Sequence, residues 1–258
     1  MERDSAGIEA IGAPDRAQAA EVGGVTLEGF ARAPRINAWI YQKLRRGLGE
    51  AALGEVLEIG SGIGNLSRLI LRDARHAVLT DVEPRYLESL QRDLGAGERV
   101  EVVPWNLDDP PPAALAGRRF DAIVAVNVIE HLRDDGALTR ALAELLRPGG
   151  HLLVYVPACP WAFGSLDVAL GHHRRYTRHT LRALLQGAGL AVGQPRYMNR
   201  LGLVGWVLSG RVLKRRVLST RLIGVFEQIV GVARAIDLLS CFLPVGLGLV
   251  VRARKDAP

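Results

Sequence analysis

Short apolar runs alternate with amphipathic stretches through most of the chain. Residues 55–59, Glu55-Val56-Leu57-Glu58-Ile59, form an apolar run ended by a glycine-rich turn at 60–64 and predict a short buried strand. Leu66, Leu69 and Ile70 then fall on one side of a predicted helix over 65–73. The alternation continues with strands at 77–80 and 100–103 around a helix at 84–94, which has Pro84 in its first turn. Pro110, Pro111 and Pro112 forbid regular structure before the next strand, at 120–126. A helix at 136–146 stops at Pro148-Gly149-Gly150, and strands at 152–156, 192–197 and 247–251 complete the pattern, with a helix after Thr180. Upstream, Phe30, Ile36, Trp39, Ile40, Lys43 and Leu44 predict one or two entering helices, with Pro34 starting or bending one of them.

This order predicts an α/β, doubly wound, Rossmann-like, mostly parallel seven-stranded sheet with helices on both faces, and a C-terminal helical insertion before the last strand. Ligands in such sheets bind at the C-terminal ends of the strands. The expected organisation is a disordered arm at 1–24, a core at 25–198 that includes the entering helices, a helical insertion at 199–245 and the last core strand at 246–254.

Length and composition agree with a globular domain: 258 residues, 48% hydrophobic and 23% charged. Cys159 and Cys241 cannot supply a disulfide framework or a four-cysteine zinc site, so a reducing, cytoplasmic setting is expected. Glu2, Asp4, Glu9 and Asp15, with no apolar run beside them, argue against a secretory or transit segment. The net charge of +6 is local, because Arg200, Arg211, Lys214, Arg215, Arg216, Arg221 and Arg234 face only Glu227 in that stretch. Residues 199–243 are otherwise apolar. Arg211 interrupts the first half, and Glu227, Arg234 and Asp237 the second, so amphipathic helices are expected rather than a membrane span. Leu222, Val225, Phe226, Ile229, Val230, Ala233 and Ile236 share one face of a single continuous helix in this reading. Two roles remain open for the stretch. It can close over a substrate as a lid, or lie on a membrane surface with Trp206 and Phe226 toward lipid and Arg211, Lys214, Arg215 and Arg216 at the headgroups.

Candidate chemistry begins at the turn Gly60-Ser61-Gly62-Ile63-Gly64. Its glycines are spaced two and two, whereas a dinucleotide fingerprint requires two and then three, which argues against NAD or FAD. Glu58 just before the turn repels a phosphate but can hold an ammonium group. Asp81 follows the second strand, where a carboxylate can accept ribose hydroxyls or cap the next helix. Here the chain resembles the class I S-adenosylmethionine-dependent methyltransferases, over roughly residues 53–195. The matching segments are Glu58 to Gly64, Thr80-Asp81-Val82-Glu83-Pro84, Asn106-Leu107-Asp108, Phe120 to His131, and Leu146-Arg147-Pro148-Gly149-Gly150.

The resemblance implies an S-adenosylmethionine cofactor. Glu58, Gly60, Ser61, Gly62 and Gly64 would line its methionine and ribose part, and Asp81 with Val82 would meet the ribose. Asn106 and Leu107 would face the adenine, and Asn127 would border the sulfur. Asn106 departs from the acid that relatives often carry, which leaves Asp108 as a substitute. The segment Gly171-His172-His173-Arg174-Arg175-Tyr176-Thr177, after the fifth strand, can supply a base, an anion clamp and an aromatic wall. A similar segment, with a hydrophobic and basic C-terminal extension, occurs in a bacterial subset of these enzymes. His172 and His173, then His131, are the candidate bases, and Arg174, Arg175, Tyr176 and Trp161 the candidate substrate contacts. Structural alternatives are a solvated basic loop with Tyr176 packed and Thr177 capping a helix, and a helix-end role for Glu130 and His131. Adjacent histidines point apart on a helix and no Cys/His ladder supplies partners, so no metal is expected.

The reading is a methyltransferase for a small-molecule, natural-product or lipid-like acceptor, cytoplasmic and in peripheral contact with the inner membrane surface if 199–243 is interfacial. A nucleic-acid or protein methyltransferase and a non-catalytic cofactor-binding module are the alternatives. No RNA-binding module and no base-methylation motif after the fourth strand support the first of these, and no nucleic-acid partner is expected.

Overall fold

The structure, a computed structural model, describes residues 16–48 and 53–256. Helices α1 (Arg16–Ala31) and α2 (Pro34–Arg45) precede β1 (Glu55–Ile59). Then follow α3 (Ser67–Asp73), β2 (His76–Asp81), α4 (Pro84–Leu94), β3 (Val100–Pro104), β4 (Phe120–Val126), α5 (Asp135–Leu145) and β5 (Leu146–Pro157). A short α6 (Ser165–Ala169), α7 (Arg178–Gly187), β6 (Leu190–Val192) and β7 (Arg196–Met198) lead into the insertion. The insertion holds α8 (Arg200–Val207), a π-helical turn at Leu208–Val212, α9 (Thr220–Gln228) and α10 (Val230–Leu239), and β8 (Gly248–Lys255) follows.

The sheet order is β3-β2-β1-β4-β5-β8-β6, with β7 also on β8. Strands β1 to β5 are parallel, and β8 runs antiparallel to β5. β6 and β7 are one edge strand in two pieces. Val192 pairs with Ala253 and Arg196 with Val250, so four steps on one side match three on the other. That extra residue is a bulge at Gly193-Gln194-Pro195, where proline's missing N–H is tolerated. The eight strands therefore occupy seven positions, as the sequence pattern predicts.

Side chains alternate between two cores. Leu57, Ile59, Val78, Ile123 and Leu152 pack with Leu138 and Leu142 of α5 and Leu181 and Leu185 of α7. Val56, Val124 and Leu153 point the other way, onto Trp39 and Leu44 of α2 and Ile70 of α3. Burial on both faces explains the near-continuous apolar runs of the strands. Each fully buried Leu or Ile contributes about 1.5–3 kcal/mol. Pro34 and Pro84 occupy first-turn positions of α2 and α4, as expected.

Two expectations change. Residues 1–15 lie outside the described residues, but 16–24, expected as part of a disordered arm, belong to α1. Gly29 faces α9, where a Cβ would lie 2.6 Å from Ile223 Cδ1 and the Ile223 side chain would have to shift. The expected continuous helix over 222–236 instead breaks at Ile229 (φ −100°, ψ 12°). Ile223, Val230 and Ala233 then turn inward, while Leu222, Val225 and Ile229 face out. Glu227 holds the break by accepting the backbone N–H groups of Arg35 and Ile36 at 2.7 and 3.1 Å, capping α2. No helix of the described residues is long and apolar enough to cross a membrane.

Asp237 pins the insertion to the sheet. Its carboxylate accepts the N–H groups of Asn199 (2.6 Å) and Arg200 (3.0 Å) at the start of α8 and pairs with Arg200 Nη1 at 3.2 Å, all buried. Asp237→Ala is expected to destabilise the fold by about 3 kcal/mol, because it strands a buried guanidinium. Urea denaturation measures this, and a change below about 1 kcal/mol would contradict the anchoring role.

Candidate active site

Every parallel strand of the sheet ends on the same edge, and the chain leaves three of those ends through strained backbone. Asn127 after β4, Cys159 after β5 and Asn199 after β7 have φ of 52°, 63° and 61°. Left-handed non-glycine residues are costly and concentrate at functional edges.

The glycine turn lies on this edge, between β1 and its neighbours. Gly60 and Gly62 have φ of 63° and 55°, and a Cβ at Gly60 would lie 2.6 Å from Val128 Cγ2. Glycine is needed there for both conformation and close approach to the loop after β4. Hydrogen bonds sew the turn to β2: Ser61 N–H donates to Thr80 O (2.8 Å), and Gly62 N–H donates to Asp81 Oδ2 (2.8 Å). Asp81 Oδ1 accepts from the N–H groups of Val82 and Glu83 at 2.8 and 3.0 Å. Burial pushes the Asp81 carboxyl up, and these three amides pull part of that back. Helix α1 lies across the turn, with Leu27 O accepting from Asn65 Nδ2 at 3.0 Å and the Leu27 side chain over Gly62. A Cβ at Gly64 would press on Leu94 and Leu90 of α4 at 3.0 and 3.1 Å, so Gly64 serves packing.

Glu58 is buried beneath the turn and accepts from Ser67 Oγ at 2.5 Å. Burial pushes its carboxyl up to about 7, with the Ser67 and Ser61 hydroxyls opposing and the Asp81 charge adding. Trp105 N–H donates to Asp81 O, holding the exit of β3 beside that of β2. Asn106 next to it is engaged locally, donating to Asp109 Oδ2 at 2.9 Å and accepting from Asp108 N–H at 3.3 Å. Leu107 is half-buried, whereas Val82 is 61% exposed and free to meet an apolar ring. Asn127 N–H donates to Tyr155 O at 2.9 Å.

Two residues beyond Val128, a second group assembles. Glu130 is fully buried and neither carboxylate oxygen has a hydrogen-bond partner. Burial pushes it up to about 7, opposed mainly by His172. The rings of His131 and His172 meet edge to face at 4.8 Å, and His172 Nε2 lies 3.9 Å from Glu130 Oε1. His131 is exposed at the surface of this cluster. Removal from bulk water, then His172, holds its pKa down to about 3, so the ring is neutral.

Behind His172 stands Asp167, which is not among the site residues predicted from sequence. Its Oδ1 accepts from His172 Nδ1 (2.9 Å) and Arg175 Nε (2.7 Å), and its Oδ2 from Gly164 N–H (2.9 Å) and Trp206 Nε1 (3.1 Å). Burial raises the Asp167 carboxyl, but the His172 hydrogen bond and the Arg175 charge outweigh it and hold it below the usual range. Three of its donors, Gly164, His172 and Arg175, lie within eight residues of it in the chain, and Trp206 comes from the insertion.

The predicted residues thus divide. His131 and His172 come together with Glu130, while His173 is exposed and only its backbone N–H reaches Glu130 O. Arg174 and Tyr176 both bind Asp135 at the start of α5, at 3.0 and 2.8 Å, which gives them an anchoring role. Arg175 lies flat over Trp206 at 4.8 Å and donates to Ala158 O, with Nη2 buried and unpartnered. Trp161 is 53% exposed, and its carbonyl accepts from Arg211 of the insertion. Thr177 caps α7 through Thr180 N–H, as its position predicts.

Comparison with known proteins agrees with this geometry. A family model described as a methyltransferase domain matches residues 33–194. A ubiquinone biosynthesis O-methyltransferase of Xylella fastidiosa (strain 9a5c) is 32% identical over 104 residues, 38% of this chain and 40% of that protein. The chain thus spans about two fifths of the length of the curated relatives it matches. Among solved structures, the N-methyltransferase NodS from Bradyrhizobium japonicum WM9, in complex with S-adenosyl-L-homocysteine, aligns with a TM-score of 0.53 and 18% identity. That alignment covers 84% of this chain and 86% of NodS. A putative sarcosine dimethylglycine methyltransferase from Galdieria sulphuraria aligns at 0.58 and 16%, covering 86% of each chain.

Glu58 supplies a test of the site's electrostatics. A carboxyl near 7 when folded and near 4.5 otherwise binds its proton more tightly in the native state. Its stabilising contribution is therefore fully present below about 4.5 and is lost as pH rises through about 7, a change of about 3 kcal/mol. Denaturation of the wild type and Glu58→Gln at pH 4.5 and 7.5 is expected to show a larger loss in the wild type. Glu130 contributes with the same sign to both proteins, so the difference between them isolates Glu58.

Proposed function

The chain belongs to the methyltransferase-domain family, and from that membership we propose that it transfers a methyl group from S-adenosylmethionine to a small, lipid-like acceptor. The residues at the strand edge suit the cofactor. Gly60 and Gly62 leave a cradle that a Cβ would fill, and Asp81 Oδ2 carries only the Gly62 N–H, which leaves a lone pair for a ribose hydroxyl. Glu58, Ser61 and Gly64 frame the turn, Val82, Asn106 and Leu107 border the adenine side, and Asn127 the sulfur. When bound, the cofactor supplies a methyl group on a positively charged sulfur. The new bond to the acceptor forms as the carbon–sulfur bond breaks, and sulfur keeps the electron pair.

For such an in-line displacement the protein's task is alignment and exclusion of water. Helix α1 across the glycine turn contributes to both. Glu130, His131 and His172 form the polar wall that receives the reacting group of the acceptor, with Asp167 orienting the His172 ring. His172→Ala is expected to lower turnover more than about threefold, whereas equal turnover would remove the wall from the reaction.

The acceptor class rests on one observation. Thirteen of the sixteen exposed large apolar side chains among the described residues lie between Val204 and Leu243, among them Val212, Leu238, Leu239 and Phe242, each at least 65% exposed. Lys214, Arg215, Arg216 and Arg221 are exposed in the same stretch. An apolar face of this size with a basic fringe suits an anionic membrane surface, from which an apolar acceptor is drawn. The O-methyltransferase relatives in ubiquinone biosynthesis support a small-molecule acceptor. The insertion also packs inward through Ile223, Val230 and Ala233, so lid and interfacial element are two sides of the same helices.

Two measurements test the proposal. With labelled S-adenosylmethionine and cell extract, label is expected in the organic-soluble fraction. Asp81→Ala should abolish it and weaken cofactor binding about 10- to 100-fold by calorimetry, as expected for lost hydrogen bonds to a charged group. Label in RNA or protein instead would overturn the acceptor class. Sedimentation with phosphatidylglycerol vesicles should show binding that weakens with salt and falls when Leu238, Leu239 and Phe242 are replaced by serine. The absence of salt-sensitive binding would overturn the membrane contact.

A further inference from the structure

Glu130 is the one carboxylate among the described residues with both oxygens buried and without a hydrogen-bond partner. A bare buried carboxylate is unfavourable unless something neutralises it. Its nearest neighbours are two imidazoles. His172 Nε2 stands 3.9 Å from Oε1, too far for a hydrogen bond, and one ligand atom each from Glu130, His131 and His172 all lie within 4.8 Å of one another. The orientation of His172 is set from behind. Asp167 accepts from Nδ1 at 2.9 Å and is itself saturated by Arg175, Gly164 and Trp206, so a ring proton is held on Nδ1 and Nε2 is turned toward Glu130. A carboxylate that fixes one ring nitrogen so that the other can ligate is the arrangement found behind metal-bound histidines.

We propose that Glu130, His131 and His172 bind a divalent first-row transition ion, such as manganese, iron or zinc. Two imidazoles and one carboxylate are the donor set such ions prefer, whereas magnesium and calcium favour all-oxygen ligands. Glu130 compensates the cation, and Asp167 offsets the positive charge of Arg175 behind it. His131 is exposed, which leaves the remaining coordination positions open to solvent or to a bound acceptor. There the ion would hold an anionic or hydroxyl oxygen of the acceptor. That role rests on the proposed methyl transfer, while the site itself does not. The sequence argument against a metal considered the adjacent pair His172-His173. The fold discards His173 and supplies Glu130 and His131 from the loop after β4.

The test is binding of the metal alone. The full chain, stripped with chelator, is titrated with Mn²⁺ and free ion is followed by electron paramagnetic resonance. One Mn²⁺ per chain is expected, displaced by Zn²⁺. Glu130→Gln and the exposed His131→Ala should each weaken it at least about 10-fold, whereas His76→Ala at the opposite end of the sheet should leave it unchanged. Circular dichroism checks each fold, and His131→Ala decides the matter if Glu130→Gln does not fold. No saturable binding to the wild type, or binding that survives both replacements, would overturn the site. S-adenosylmethionine binding in the same preparation separates the two proposals. Cofactor binding without metal binding counts against this site alone, and metal binding without cofactor binding supports the site and counts against the methyl-transfer reading.

Discussion

A single buried carboxylate, Asp167, holds together the parts of the molecule that lie beyond the sheet. Its four lone-pair positions are taken by four donors: the backbone of Gly164, the imidazole of His172, the guanidinium of Arg175 and the indole of Trp206. These donors come from the start of α6, the loop after it and α8 in the insertion. A buried charge is tolerable only when paired and fully hydrogen-bonded, so losing any partner penalises the others. The insertion, the loop and the histidine wall are therefore coupled through one group. Arg175 adds a second tie by spanning Ala158 O at the end of β5 and the face of Trp206.

The other constraint is the crowding of the strand edge between β1, β2 and β4. The glycine turn must pass within contact distance of Val128 and still present Gly62 N–H to Asp81. That leaves no room for side chains at the turn and brings the loop after β4 directly beside it. Because Glu130 and His131 follow Val128 in the same short loop, the glycine turn and the Glu130–His131 turn are mechanically continuous. Left-handed backbone at Asn127 is part of the cost of that continuity, and the hydrogen bond from Asn127 N–H to Tyr155 O helps hold it.

The insertion obeys two demands at once. Its inward stripe, with Ile223, Val230 and Ala233, completes the core over α2, and Asp237 and Glu227 attach it to α8 and α2 through buried or capping contacts. Its outward side also carries exposed apolar side chains, Leu222, Val225, Leu238 and Leu239 among them, and with the basic residues at 211–221 these are what the proposed contact with an anionic membrane surface rests on.

Much was legible in one dimension. Strand positions followed from the apolar runs because a sheet buried on both faces demands them, and glycines at 60 and 62, with Asp81 after the next strand, are local consequences of a tight turn on a parallel sheet. The first half of helix α1 was not legible, since Gly23 and Gly24 read as part of a disordered arm. Nor was the break at Ile229, which depends on packing against two different neighbours. The sequence by itself determined the fold class, the glycine turn and the existence of a His-rich segment, because each depends on residues close together in the chain. Only the tertiary structure decided that Arg174 and Tyr176 serve Asp135, that Asp167 is the hub, and that Glu130, His131 and His172 form one cluster. Those groupings arise between distant segments, where burial leaves each polar group to find whatever partner the fold brings within reach.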